Sequence, residues 1–255
     1  LNKDQELIWE YQFKDTVYTQ DFPHSITYRN NIIDTFTYNS EKALLMLARN
    51  IPLYPNIIFK LNLKTGERID STKVLMHAGG INAALLGDFD ENGTEELVAI
   101  AIHNGYERAV LFSIDVDKIY GQSPAPPKYT FKDLPVADFN AYILLPITDY
   151  GKFFFRYNSP VLSSLNYYKE SKEFQFYTVE GIGNNIITVH YRFSNDLKFI
   201  RLDCGDDAQY KRDSLVANKI LHGPYTNTDE YYNLLKEQIR YWNGFEFVKE
   251  QELNK

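Results

Sequence analysis

The 255-residue chain has a single cysteine, Cys204, so neither an internal disulfide framework nor a multi-cysteine zinc site can form. Its five histidines never fall at the His-x-x-x-His spacing, and no zinc centre is indicated. No apolar run approaches the roughly 20 residues that a membrane-spanning helix needs; the purest, residues 97–102, is far shorter. Basic residues are in the minority, 27 Lys and Arg against 34 Asp and Glu, for a formal net charge of −7. A phosphate-backbone binder needs a basic face to displace counterions, so a nucleic-acid partner is not expected. Phosphate loops, dinucleotide fingerprints and Gly-x-Ser-x-Gly elbows are also missing, which weakens an enzymatic reading without closing it.

Aromatic residues are abundant: 20 Tyr and 17 Phe carry the aromatic share to 15%. These residue types suit a pleated, half-buried surface. Short runs rich in β-branched and aromatic residues, bounded by Gly, Pro, Asn or Asp, predict strands. They lie near 25–28, 43–48, 56–63, 83–87, 97–102, 109–116, 141–147, 153–157, 173–179, 186–193 and 198–204.

Two sets of internal similarity suggest a repeat. Leu61-Asn62-Leu63, Ile114-Asp115-Val116 and Leu165-Asn166-Tyr167 each place Asn or Asp between large apolar residues and lead into a charged turn. The stretches 81–86 and 139–144 also resemble each other. A period of about 50–58 residues fits a four-stranded blade with long loops. The expected fold is therefore all-β and β-propeller-like, with about four to five blade-like repeats in one domain over 1–255, possibly part of a larger propeller.

Residues 223–255 read differently. Thr228-Asp229-Glu230 has the hydroxyl and acids of a helix start, and Tyr231, Leu234, Leu235, Gln238 and Trp242 follow at helical spacing. Asn243-Gly244 then suggests a type I′ hairpin. A short C-terminal helix and hairpin, packed as a cap, is expected. With no initiator Met at Leu1, the chain reads as a segment of a longer polypeptide.

One stretch carries metal chemistry. Residues 87–97 read Gly-Asp-Phe-Asp-Glu-Asn-Gly-Thr-Glu-Glu-Leu. Oxygen donors alternate at Asp88, Asp90 and Asn92, Gly93 allows a sharp turn, and Glu96 follows. Calcium takes six to eight hard oxygens in a flexible shell, so Asp88, Asp90, Asn92, the Thr94 carbonyl and Glu96 form the candidate ligand set. An EF-hand would need a carboxylate at residue 99, which is Ala99 inside an apolar run.

Strand, Asp-x-Asp-x-Asn-Gly-x-x-Glu, strand resembles the FG-GAP or VCBS-type repeat of integrin-α-like β-propellers, over roughly residues 79–115. That resemblance implies a structural calcium loop in a blade hairpin. It also implies an extracytoplasmic location (periplasmic, cell-surface or secreted) and a role in binding, adhesion or sensing. The corresponding stretch 146–152 in the next unit has lost the acids.

Other features carry less. His77-Ala78-Gly79-Gly80 reads as a turn feeding a strand. Cys204 lies among Asp203, Asp206 and Asp207, which oppose thiolate formation, and reads as structural. Tyrosines cluster at Tyr167 with Tyr168, and at Tyr225 with Tyr231 and Tyr232; such rings serve core packing or recognition of flat ligands. The leading expectation is a non-catalytic binding or sensing module for a protein or carbohydrate ligand. A polysaccharide-acting enzyme on the same scaffold and a structural spacer of a larger surface protein are the alternatives.

Overall fold

A computed structural model describes residues 7–19, 23–24, 27–50, 54–155 and 158–253. The chain divides into two compact units, Leu1–Gly80 with Asp115–Asp138 and Ile81–Ile114 with Phe139–Lys255.

The first unit opens with β1 (Tyr28–Tyr38), β2 (Glu41–Asn50), β3 (Asn56–Asn62), β4 (Arg68–Ile69) and β5 (Leu75–His77). β1 and β2 form a hairpin whose two turn residues, Asn39 and Ser40, both have positive φ, as a type I′ turn requires. The polar run Arg29-Asn30-Asn31 hides β1 from a search for apolar alternation, yet β1 is a long edge strand.

The chain next enters the second unit as β6 (Ile81–Gly87), β7 (Glu96–His103) and β8 (Arg108–Asp115). It returns to the first for β9 (Gly121–Gln122), then completes the second. There follow β10 (Ala141–Leu144), α1 (Asp149–Phe154), β11 (Asn158–Pro160), β12 (Asn166–Tyr168), β13 (Glu173–Glu180), β14 (Ile187–Ser194) and β15 (Phe199–Cys204). The last elements are α2 (Asp206–Ala217), α3 (Asp229–Lys236), β16 (Arg240–Trp242) and β17 (Phe247–Val248).

The described residues form three sheets, and the protein is mainly β. One six-stranded sheet, in the first unit, has the order β1-β2-β3-β5-β9 with β4 also on β3. Its core gathers Leu44, Met46, Ile57, Phe59 and Leu61 around Phe13 and Phe131. It also buries Lys60, whose Nζ lies 4.4 Å from the Tyr38 ring centroid and donates to the Val116 carbonyl at 3.4 Å. Loss of water lowers the Lys60 pKa.

The second unit holds a six-stranded sheet, β17-β16-β10-β8-β7-β6, and a five-stranded one, β11-β13-β14-β15 with β12 on β13. β14 alternates buried and half-buried residues without a break, whereas β7 is buried at nearly every position. Val98, Ile100, Leu111 and Ile143 of one sheet share a core with Phe174, Phe176, Val189 and Phe193 of the other, together with Tyr231 and Leu235 of α3. Each such side chain contributes roughly 1.5–3 kcal/mol on burial.

Nine predicted strands coincide with observed ones, and the predicted helix is α3, its Thr228 side chain accepting from the Tyr231 N–H. The strand expected at 153–157 is instead the end of α1, with residues 156–157 outside the described set. The run 146–152 therefore corresponds to a helix start rather than a second metal-loop hairpin. Thr148 caps α1 by accepting from the Gly151 N–H at 2.9 Å. Residues 25–26 of the first predicted strand also lie outside the described set.

The repeat triplets do not fall on equivalent elements. Two close β3 and β8, while the third opens the short strand β12. The C-terminal hairpin extends a sheet, because β16 pairs with β10. Its turn has positive φ at Gly244 alone, the pattern of type II′ rather than I′. Among the described residues no helix is long and apolar enough to cross a membrane.

Candidate metal centre

The loop at 88–95 joins β6 to β7, which pair antiparallel up to Gly87↔Glu96. Its chain reversal requires positive φ at Glu91 (61°) and Gly93 (89°). At Gly93 that conformation selects glycine, since a Cβ there would meet open space and only backbone strain opposes one.

The loop's side chains organise its backbone. Asp88 Oδ2 accepts from the Gly93 N–H at 3.0 Å, closing the turn across its width. Asp90 accepts from the Asn92 N–H at 3.1 Å and from Asn92 Nδ2 at 2.8 Å. Asn92 Oδ1 accepts from the Thr94 N–H at 2.7 Å. Glu96 reaches back from the first position of β7, where its Oε1 accepts from the Phe89 N–H at 3.0 Å.

Of the five candidate ligands, the fold gathers three carboxylates. Oxygens of Asp88, Asp90 and Glu96 all lie within 4.8 Å of one another. Asn92 touches this cluster through Asp90, and Thr94 joins it through its N–H to Asn92. Asp88 and Asp90 are exposed, whereas Glu96 is 3% exposed. Glu96 Oε2 is buried without a hydrogen-bond partner. Burial lifts the Glu96 carboxyl to about 7; the Phe89 N–H opposes this, and the Asp90 and Asp88 charges add to it.

Residues outside the motif hold the loop. Phe89 turns away from the carboxylates and packs edge-on against Tyr167 and Phe174, at 4.8 and 5.0 Å between centroids. Its carbonyl accepts from Asn195 Nδ2 at 3.2 Å and Tyr167 Oη at 3.4 Å. Lys172 pairs with Glu91 at 2.7 Å. These anchors come from β12, β13 and the turn after β14, about 80–100 residues away in sequence, and no local pattern announces them.

A second polar constellation lies in the same unit. Arg212 of α2, 1% exposed, donates from Nε to Asp149 Oδ1 at 2.7 Å and from Nη2 to Oδ2 at 3.0 Å. Its Nη1 donates to the Pro224 carbonyl at 2.8 Å, and its guanidinium lies 3.8 Å from the Tyr231 ring centroid. Burial would raise the Asp149 pKa, but Arg212 outweighs it and holds that carboxyl below the usual range. Nearby, both oxygens of buried Glu180 accept from the Thr148 N–H, and Oε2 also accepts from the Thr148 hydroxyl. Burial lifts Glu180 to about 7 as well.

These residues join α1, α2 and α3. The sequence signal for α2 is modest: Gly205 followed by two acids, with no apolar stripe behind them. Cys204 closes β15, its thiol lifted by burial and by the Glu180 charge to about 12, so it is not a thiolate near neutral pH. His77 is buried in β5, where loss of water lowers it to about 4. Comparison with protein families, with curated proteins and with solved structures finds no match to this chain.

Proposed function

We propose that this chain is a non-catalytic binding or sensing module in which one calcium ion fixes the β6–β7 hairpin. The ligands are Asp88, Asp90, Asn92, the Thr94 carbonyl and Glu96. The observation that carries the proposal is Glu96: a carboxyl oxygen buried without a partner beside two further carboxylates. Such an arrangement is costly by itself, and a divalent cation reverses the sign of that cost. Hard carboxylate and carbonyl oxygens favour calcium or magnesium over softer metals, and a flexible turn with several donors favours calcium.

The ion neutralises the acids and locks the turn, so its binding energy adds to folding. An extracytoplasmic setting belongs to the same proposal, because calcium-dependent modules there work with dissociation constants of roughly 10⁻⁴–10⁻³ M. The affinity to FG-GAP or VCBS-type propellers is proposed for this strand–loop–strand unit, with the antiparallel β6–β7 pair as its support.

Melting with and without a chelator tests the proposal. Saturating calcium at about ten times its dissociation constant adds roughly 1.4 kcal/mol, or about 2–5 °C in melting temperature. Asp90→Ala should abolish that difference. Identical melting of the wild type in calcium and in chelator would refute the calcium loop.

A further inference from the structure

We infer that the groove between α2 and the segment 225–228 is a binding site for a neutral carbohydrate. The inference supplies a ligand class for the binding-module reading, on which it rests, but it does not depend on the cation loop.

The groove is open to solvent along much of its length and has a volume of about 810 Å³. Two tyrosines line it, Tyr210 from α2 at 81% exposure and Tyr225 at 51%. Rings left this open can offer flat apolar faces to a sugar ring at small entropic cost. Gln209, Ser214 and Asn227 add neutral donors and acceptors suited to hydroxyl groups. On α2 the lining positions 206, 209, 210, 213, 214 and 217 share one face, while Ala208 and Arg212 are buried on another.

The backbone of residues 225–228 is held against α2 before any ligand arrives. Asp213 accepts from the Thr226 N–H at 3.0 Å and the Thr226 hydroxyl at 2.9 Å, which fixes the residue between Tyr225 and Asn227 against α2. The Thr228 hydroxyl donates to the Tyr225 carbonyl at 2.8 Å. Beneath, Arg212 pairs with Asp213 at 3.3 Å. Preorganisation of this kind lowers the ordering cost of binding.

Charge selects the ligand class. Among the described residues no lysine or arginine lines the groove, so phosphorylated and uronic-acid ligands lack a counter-charge. Asp213 is already committed to Arg212 and Thr226, leaving Asp206 as the other lining carboxylate, too little for strong recognition of a polycation. Neutral polar side chains beside two exposed aromatic rings then fit an uncharged, hydroxylated ring.

Affinity electrophoresis of the full chain tests this, in native gels holding mixed-linkage β-glucan, xyloglucan, galactomannan or dextran, with polygalacturonate for comparison. At least one neutral polysaccharide should retard the protein. Tyr210→Ala and Tyr225→Ala should each weaken retardation by roughly tenfold, and Tyr225→Phe should keep it. Both tyrosines are exposed, and unchanged melting temperatures will show that the variants fold. The chelator-dependent melting shift should persist in these variants, which separates failure of the groove from failure of the cation loop. Absence of retardation by every neutral polysaccharide, retardation by polygalacturonate alone, or retardation of both alanine variants as strong as that of the wild type would overturn the inference.

Discussion

Glu96 and Glu180 are buried in the same unit, and burial lifts both carboxyls to about 7. Their surroundings differ. Glu180 has donors on both oxygens, all from Thr148, and ties β13 to the start of α1. Beside it Gly151 leaves the room the carboxyl occupies, since a Cβ there would lie 2.1 Å from Glu180 Oε2. Glu96 has one satisfied oxygen and one buried oxygen without a partner, with Asp88 and Asp90 facing it. A raised carboxyl pKa alone therefore does not distinguish a structural acid from a ligand-binding one; the buried oxygen left without a donor does.

The largest expected effect tests the structural side of that contrast. Arg212→Ala leaves Asp149 and Asp213 without their buried counter-charge and should cost about 3–5 kcal/mol, read by chemical denaturation. A loss below 1 kcal/mol would show that the helical network is dispensable.

The pH dependence comes next. Glu180 binds its proton in the folded state up to about 7, above its ordinary 4.5. Its contribution is fully present below about pH 4.5 and is lost as pH rises through 7, at up to about 1.4 kcal/mol per pH unit. Glu180→Gln should flatten that part of the stability–pH profile and leave the response to calcium unchanged.

Glu96→Gln should behave in the opposite way towards the cation. It should stabilise the calcium-free protein at pH 8 by about 1–2 kcal/mol and eliminate the calcium-dependent melting shift. A Glu96→Gln variant that retains the full shift would place the ion elsewhere. The smallest effect belongs to the Glu91–Lys172 pair at the loop's rim. Lys172→Ala should leave the melting temperature nearly unchanged, because water screens this exposed pair, and should weaken calcium binding little, as titration calorimetry can check.

Much of this was readable residue by residue. The loop was legible because alternating Asp88, Asp90 and Asn92 around Gly93 form a local code whose turn-closing hydrogen bonds lie inside nine residues, whereas the bonds that anchor it from Tyr167, Lys172 and Asn195 were not. α3 was legible from a capping hydroxyl followed by apolar spacing. α1 and α2 were not. The aromatic run Phe153-Phe154-Phe155 looks like a strand, yet Thr148 caps a helix there and is itself held by Glu180 from a distant strand. α2 has no apolar stripe because its buried face centres on Arg212, whose partners Asp149 and Pro224 lie elsewhere in the chain. The three repeat triplets fall one to each sheet, at β3, β8 and β12, but at different ends of those strands, a placement that composition does not specify.

By itself the sequence determined the β-rich class, the oxygen-donor turn and the C-terminal helix, since propensity, capping and turn chemistry act over a few neighbouring residues. Only the tertiary structure decided which glutamate is left unsatisfied, which arginine is buried and which tyrosines share a groove. Those outcomes depend on desolvation and on partners far away in the chain, and no local pattern encodes either.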